Sequence, residues 1–138
     1  MNRRISSLGS LTSSFSVTVP SGGAYATACD IWCDNHTYEI TLWMNKQGPV
    51  GPLGSWWTTV SVGGHRWDVY SGSNQVFSFV RQGDVTSGTV DIKAVLTWLR
   101  NNNWFGDVTV GDVQFGYEIT SSAGGMDFRT TRFSVSVS

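Results

Sequence analysis

The stretch that decides the fold is residues 38–71, YEITLWMNKQGPVGPLGSWWTTVSVGGHRWDVYS. Apolar and polar residues alternate along 38–45, which is the period of a half-buried β-strand. Gly63 and Gly64 lie between two later alternating runs and predict a tight hairpin turn. The Pro- and Gly-rich segment 48–55 is typical of a structured loop. The stretch therefore predicts antiparallel strands that bury one face.

Similar short runs, separated by Gly, Ser, Asn or Pro, extend through the rest of the chain. They are 15–19, 24–34, 58–62, 66–70, 76–81, 108–120 and 128–137. Many short strands at this spacing indicate an all-β sandwich.

One segment departs from the β pattern. In residues 91–101 the apolar side chains Ile92, Val95, Leu96 and Leu99 recur at helical spacing, and Asp91 precedes them as a candidate N-cap. We expect a single amphipathic helix on the outer face of a sheet.

Composition restricts the choice of ligand. The chain has 138 residues, a net charge of −1 and seven Trp, which predicts one domain over residues 1–138. The balanced charge argues against nucleic acid as a partner, and no run is long enough to span a membrane. Flat, neutral ligands such as sugars are favoured. Cys29 and Cys33 are expected to be buried and unbridged, since they lie about 13 Å apart along a regular strand.

Three acidic residues fall on the polar faces of predicted strands. Glu39 alternates with apolar neighbours in YEITLWMN, Glu118 does so in VQFGYEIT, and Asp30 does so in CDIWCD. Two carboxylates from different strands of one concave sheet are what glycosidic bond hydrolysis requires, one as acid and one as nucleophile or base. Strand-borne acids that are merely solvated remain the alternative at this point.

Several motifs resemble glycoside hydrolase family 12. They are YEITLWMNKQGPVGPLGS, VSVGGHRWDVY, VQFGYEI, CDIW and the terminal RTTRFSVSV. The resemblance implies a concanavalin-like jelly roll and a retaining endo-β-1,4-glucanase that acts on cellulose-type or mixed-linkage glucan, or on xyloglucan. It implies Glu39 as nucleophile, Glu118 as acid/base and Asp30 as the residue that orients Glu39. It also implies an extracellular enzyme with a β-glucan partner and no cofactor or metal.

Aromatic residues provide the candidate sugar platforms. Trp32 and Trp43 share the strand faces of the acids, and Trp56 or Trp57 follows the Pro/Gly loop, so that only one of these two can face the cleft. Gln114 is a candidate polar contact to the sugar or to a carboxylate. Two further residues, Trp67 and Trp98, are assigned to the core.

Relative to the resembled family, the chain is expected to be short at its N-terminus, where no signal peptide is recognised. Loss of N-terminal strands would expose sheet edges. Two alternatives to the enzyme follow. One is a glucan-binding sandwich or degenerate fragment without catalysis, and the other is self-association through the exposed edges.

Overall fold

The computed structural model describes residues 3–18, 24–34, 37–47, 55–71, 76–102, 104–121 and 129–138. The strands are β1 (Arg3–Arg4), β2 (Leu11–Thr18), β3 (Ala24–Cys33), β4 (Tyr38–Gln47), β5 (Ser55–Val62), β6 (His65–Ser71), β7 (Val76–Arg81), β8 (Ser87–Asp91), β9 (Thr109–Ser121) and β10 (Arg129–Val137). The helix α1 (Ile92–Asn101) follows β8, and a short 3₁₀ turn covers Ile5–Ser7.

Two sheets form the sandwich. The larger has seven strands in the order β1-β9-β3-β4-β7-β6-β5, and the smaller has the order β10-β2-β8. The pair β4 and β7 is parallel, whereas β3 is antiparallel to both β4 and β9. The predicted all-β sandwich with one helix is confirmed.

The core lies between the two sheets and under α1. Ile40, Leu42 and Met44 of β4 are at most 1% exposed, as the alternation predicted. The four predicted helix positions are also buried, and the Asp91 side chain caps the helix by accepting a hydrogen bond from the Ala94 N–H. The sequence pattern therefore identified both the helix and the face that it buries.

The predicted glycine turn is confirmed. Gly63 and Gly64 both have positive φ, 66° and 92°, which suits a two-residue hairpin turn between β5 and β6. Gly63 also accepts a hydrogen bond from the Asp91 N–H, so the hairpin tip contacts the start of α1.

Both cysteines are free and buried, as expected. Burial raises the pKa of Cys29 and of Cys33 to about 12, because an apolar environment disfavours the thiolate. Neither thiol is suited to redox chemistry.

Four features differ from the sequence expectation. The strands β1 and β8 and the 3₁₀ turn were not predicted, and β2 begins at Leu11 rather than at residue 15. The start of this strand was missed because Ser13, a polar residue, occupies a buried position and breaks the apolar–polar alternation in the sequence. The loop 48–54 and His36 lie outside the described residues.

Candidate functional site

The seven-stranded sheet has a second face, turned away from the core, which we call the open face. Residues that are directly opposite in neighbouring strands share a face, so the register arranges this face in rows. Row 1 contains Asp112, Trp32, Glu39 and Val76; row 2 contains Gln114, Asp30, Thr41 and Ser78; row 3 contains Gly116, Ala28, Trp43 and Val80.

The middle of the open face forms a trough. Ala28, Trp43 and Val80 are at most 6% exposed, and among the described residues they cluster with Ala26 and Tyr70 of the same sheet. A Cβ atom added to Gly116 would meet no atom of the described residues within 4 Å, so this part of the structure leaves the space above row 3 open.

Hydrogen bonds hold the floor of this trough. The Trp43 indole N–H donates to Thr41 Oγ1 over 3.1 Å, and the Thr41 hydroxyl donates to Ser78 Oγ over 3.1 Å. Trp43 therefore lies on the predicted face, but as a nearly buried floor residue with one fixed orientation.

Glu39 and Asp30 lie side by side on adjacent strands. Glu39 is opposite Trp32 and Asp30 is opposite Thr41, so the two acids are diagonal neighbours, with Cα atoms about 7–8 Å apart. Glu39 is half-buried, and Oδ1 of Asp30 is inaccessible to solvent. The arrangement allows the Asp30 side chain to approach that of Glu39.

A short turn fixes this register. Asp34 follows β3 with a left-handed φ of 51°, and its carbonyl accepts hydrogen bonds from the N–H and the hydroxyl of Thr37. Its Oδ1 accepts from the Thr109 N–H over 2.8 Å. Asp34 thus joins the start of β4 to the start of β9, which aligns row 1.

Glu118 lies in β9 opposite Ala26, and its side chain lies outside the described set. Trp32, the partner of Glu39, is six residues from Ala26 along β3. At the usual rise of about 3.3 Å per residue, the two glutamates are offset by about 20 Å along a flat sheet. The sequence indicated one shared face, whereas the register gives the two residues different rows.

Asp112 was not identified from the sequence. It is exposed in row 1, beside Trp32, and its Oδ2 accepts a 2.8 Å hydrogen bond from Gln114 Nε2. Gln114 therefore contacts the carboxylate of Asp112. The alternation that placed Gln114 on the polar face also applies to Asp112, two residues earlier, and was the available signal.

The two adjacent tryptophans have different surroundings. Trp56 is opposite Tyr70 and is 58% exposed. Trp57 occupies a register irregularity of β5, and its ring lies 5.4 Å from that of Trp98 and 4.8 Å from that of Trp104. Trp57 thus packs on the helix side, and Trp56 is the more exposed of the two.

The two remaining tryptophans of the sequence analysis pack in the interior or against it. Trp67 is fully buried, and its indole N–H donates to the Val62 carbonyl. Trp98 packs against Phe79 at 5.8 Å between ring centroids. Among the described residues no group of three His, Cys, Asp or Glu side chains is placed to hold a metal ion. None of the described helices is long and apolar enough to cross a bilayer.

A β-sandwich with an acidic, aromatic-lined trough on one sheet is an arrangement typical of carbohydrate-active proteins. The sequence model for Glycosyl hydrolase family 12 matches residues 1–138, and the chain belongs to that family.

Similar proteins agree with this assignment. The chain is 32% identical to the probable xyloglucan-specific endo-beta-1,4-glucanase A of Aspergillus terreus, over 98% of this chain and 59% of the relative. It is 28% identical to endoglucanase S of Pectobacterium parmentieri, over 96% of this chain and 57% of the relative. The chain thus spans less than two thirds of the length of these relatives.

A solved structure with the same fold is the xyloglucanase domain of NopAA, a type three effector from Sinorhizobium fredii, in complex with cellobiose. It superposes with a TM-score of 0.94 at 38% identity, covering 100% of this chain and 72% of that chain. The jelly-roll architecture follows from this likeness.

Proposed function

We propose that this chain is the catalytic-face portion of a retaining endo-β-1,4-glucanase. The observation that supports the proposal most strongly is the placement of Glu39 beside Asp30 on the open face, in a chain of glycosyl hydrolase family 12. The substrates are β-1,4-linked glucans of the cellulose, mixed-linkage or xyloglucan type. Since such polymers do not cross membranes, the reaction takes place outside the cell.

Glu39 is the proposed nucleophile. Its ionised carboxylate attacks the anomeric carbon and forms a covalent glycosyl-enzyme ester, while the glycosidic oxygen leaves with a proton. Asp30 is the proposed positioning residue, because a neighbouring carboxyl can share a proton with Glu39 and fix the attacking oxygen.

Glu118 is the proposed acid/base. It donates the proton to the departing oxygen and then deprotonates the water that cleaves the ester. A retaining mechanism needs the two carboxyl groups about 5 to 5.5 Å apart. The sheet's curvature and both side chains must therefore close the offset between the two rows.

The roles can be separated with two substrates. Reducing-sugar release from barley β-glucan is measured beside cleavage of dinitrophenyl cellobioside, whose leaving group needs no protonation. We expect Glu39→Gln to abolish both activities, and Glu118→Gln to abolish the first while retaining the formation of glycosyl-enzyme from the second. Asp91→Asn is the control, since Asp91 lies in β8 of the smaller sheet and caps α1, and asparagine is also a good N-cap.

Azide provides a further check on the assignment. A small anion can occupy the space of the deleted carboxylate, so Glu39→Ala with azide should give an α-glycosyl azide and Glu118→Ala a β-glycosyl azide. Full glucan hydrolysis by Glu118→Gln would contradict its role.

Non-catalytic glucan binding is the second candidate function. The offset of Glu118 from Glu39 favours it, because two carboxylates in distant rows can bind sugar without acting on one bond. Retardation of the folded chain by β-glucan in an affinity gel, without any reducing-sugar release, would establish this candidate in place of the first.

A further inference from the structure

The Glu39 end of the trough differs in charge and hydrogen bonding from the rest of the open face. Rows 1 and 2 contain three carboxylates, those of Asp112, Asp30 and Glu39, and no Lys or Arg. Lys46 lies at the other end, opposite Ala26. These two rows are therefore acidic, and Arg3 and Arg4 of β1 lie beyond them, opposite Val110 and Thr109.

Asp112 and Gln114 form a small acceptor site at this end. Gln114 Nε2 donates to Asp112 Oδ2, which fixes the amide and leaves its Oε1 facing away from that bond. A carboxylate can accept several hydrogen bonds, so Asp112 keeps acceptor capacity at Oδ1. Both side chains are exposed. Together they offer acceptors to hydroxyl groups that donate.

Trp32 lies between Asp112 and Glu39 in row 1. Neighbouring strands are about 4.8 Å apart, so a pyranose over the half-buried indole is within reach of Asp112 on one side and Glu39 on the other. An aromatic platform beside fixed acceptors suits a neutral sugar. One face of the pyranose stacks on the indole, and the equatorial hydroxyls donate hydrogen bonds to the acceptors.

We propose that Asp112 is a specificity-determining residue, which with Gln114 binds a neutral glucosyl unit on Trp32 and disfavours carboxylate-bearing glucan at this position. A carboxymethyl group placed there would meet Asp112 and two further carboxylates. This inference rests on the proposed function, because it assigns a subsite to the same trough.

The test compares two celluloses matched in degree of substitution, neutral hydroxyethyl-cellulose and anionic carboxymethyl-cellulose. We measure kcat/KM for each with the wild type and with Asp112→Asn. Removal of the charge should raise the ratio of carboxymethyl- to hydroxyethyl-cellulose about fivefold to tenfold, through KM rather than kcat.

Salt gives an independent readout. Raising the ionic strength from about 0.01 to 0.5 M shortens the Debye length from about 30 Å to less than 10 Å. The wild-type ratio should rise over this range, whereas the Asp112→Asn ratio should change much less. If Asp112 had only a structural role, the substrate ratio would depend on salt equally in the wild type and in Asp112→Asn.

Asp91→Asn is the charge control. Asp91 lies in β8 of the smaller sheet, where it caps α1 by accepting from the Ala94 N–H, and asparagine is also a good N-cap. This variant should leave the substrate ratio unchanged.

The outcomes separate the two proposals. If the wild type hydrolyses both polymers and Asp112→Asn changes the ratio of kcat/KM values by less than twofold, the Asp112 assignment alone is overturned. Absent hydrolysis, with Asp112→Asn increasing retardation by carboxymethyl-cellulose in an affinity gel, overturns the catalytic proposal and supports Asp112. A folded wild type that neither cleaves nor is retarded by either polymer overturns both.

Discussion

The two faces of the seven-stranded sheet use the same strands for different purposes. On the core face, large apolar side chains such as Ile40, Leu42 and Phe79 are fully buried against a second layer. On the open face, small or hydrogen-bonded residues such as Ala28 and Thr41 are also buried, and the described neighbours that they contact belong to the same sheet. The core face is thus buried by packing between layers, whereas the described contacts of the open face lie within one sheet. Substitutions on the core face should therefore lower stability, whereas substitutions on the open face should mainly change function.

The largest effect is expected from an adjacent pair in β7. Phe79→Ala removes a fully buried ring that packs against Trp67 and Trp98 and should lower the free energy of unfolding by about 3–5 kcal/mol. Ser78→Ala, on the open face, loses one hydrogen bond with Thr41 and should cost about 1 kcal/mol. Denaturant titrations measure both, and equal losses would break the contrast between the faces.

A side chain at Gly116 should block the trough without unfolding the protein. Gly116→Leu fills the open space above row 3, and displacement of the glucan should lower kcat/KM by about a hundredfold. Gly106→Leu is the size-matched control, because its Cβ also meets nothing within 4 Å. A large loss of melting temperature in Gly116→Leu would show that row 3 is not open.

Trp56 and Trp57 are adjacent in sequence but have different surroundings, so they allow the same comparison of stability with function. Trp57→Ala removes contacts with Trp98 and Trp104 and should lower the free energy of unfolding by about 1–2 kcal/mol without changing glucan affinity. Trp56→Ala should leave stability unchanged and weaken glucan binding about fivefold. Calorimetry and affinity gels measure the two properties, and the reverse pattern would exchange the assignments.

The thiols test how well the core face excludes solvent. With the pKa of both cysteines raised by burial to about 12, iodoacetamide at pH 8 should label the native protein only at the rate of unfolding. The folded state favours the neutral thiols, so their contribution to stability should fall as pH rises from about 9 towards 12. Mass spectrometry follows the labelling, and rapid modification of the native chain would contradict the buried placement.

The smallest effect is expected at Asp107, which is hydrogen-bonded to Ser6 near the start of the chain. Hydrogen bonds from the Ser6 hydroxyl and backbone N–H lower the pKa of Asp107, assisted by the nearby Arg100. Because the carboxyl pKa is lowered in the folded state, the ionised group stabilises the fold at pH values above the usual pKa of 3.8. This stabilisation is lost as the pH falls through the folded-state pKa. Asp107→Asn should melt slightly earlier than the wild type at pH 7, and the difference should vanish in acid. A difference that is independent of pH would exclude the charge as its cause.

Strand parity predicted much of this site and of the fold. Alternation correctly assigned Ile40, Leu42 and Met44 to the core and the positions of Glu39 and Asp30 to the other face, because side-chain direction depends only on local geometry. The helix was predictable from its four apolar positions and from Asp91 as its cap. Strand β8 was missed because SGTVD is short and Gly-containing.

Parity could not predict distances between strands that are far apart in sequence. The choice between Trp56 and Trp57 depends on one register irregularity in β5. The offset of Glu118 from Glu39 depends on how β9 is aligned with β3. Alternation could have placed Asp112 on the polar face, but its position beside Trp32 exists only through that pairing.

The sequence by itself determined which residues face the core, where the helix begins and ends, and which motifs resemble the family. These properties follow from chemistry within a few residues of chain. Only the tertiary structure decided that Asp112, Trp32 and Glu39 share one row, that Trp57 packs against the helix, and that row 3 is open. The register of strands joined across long stretches of sequence fixes these relations, and local alternation contains no information about that register.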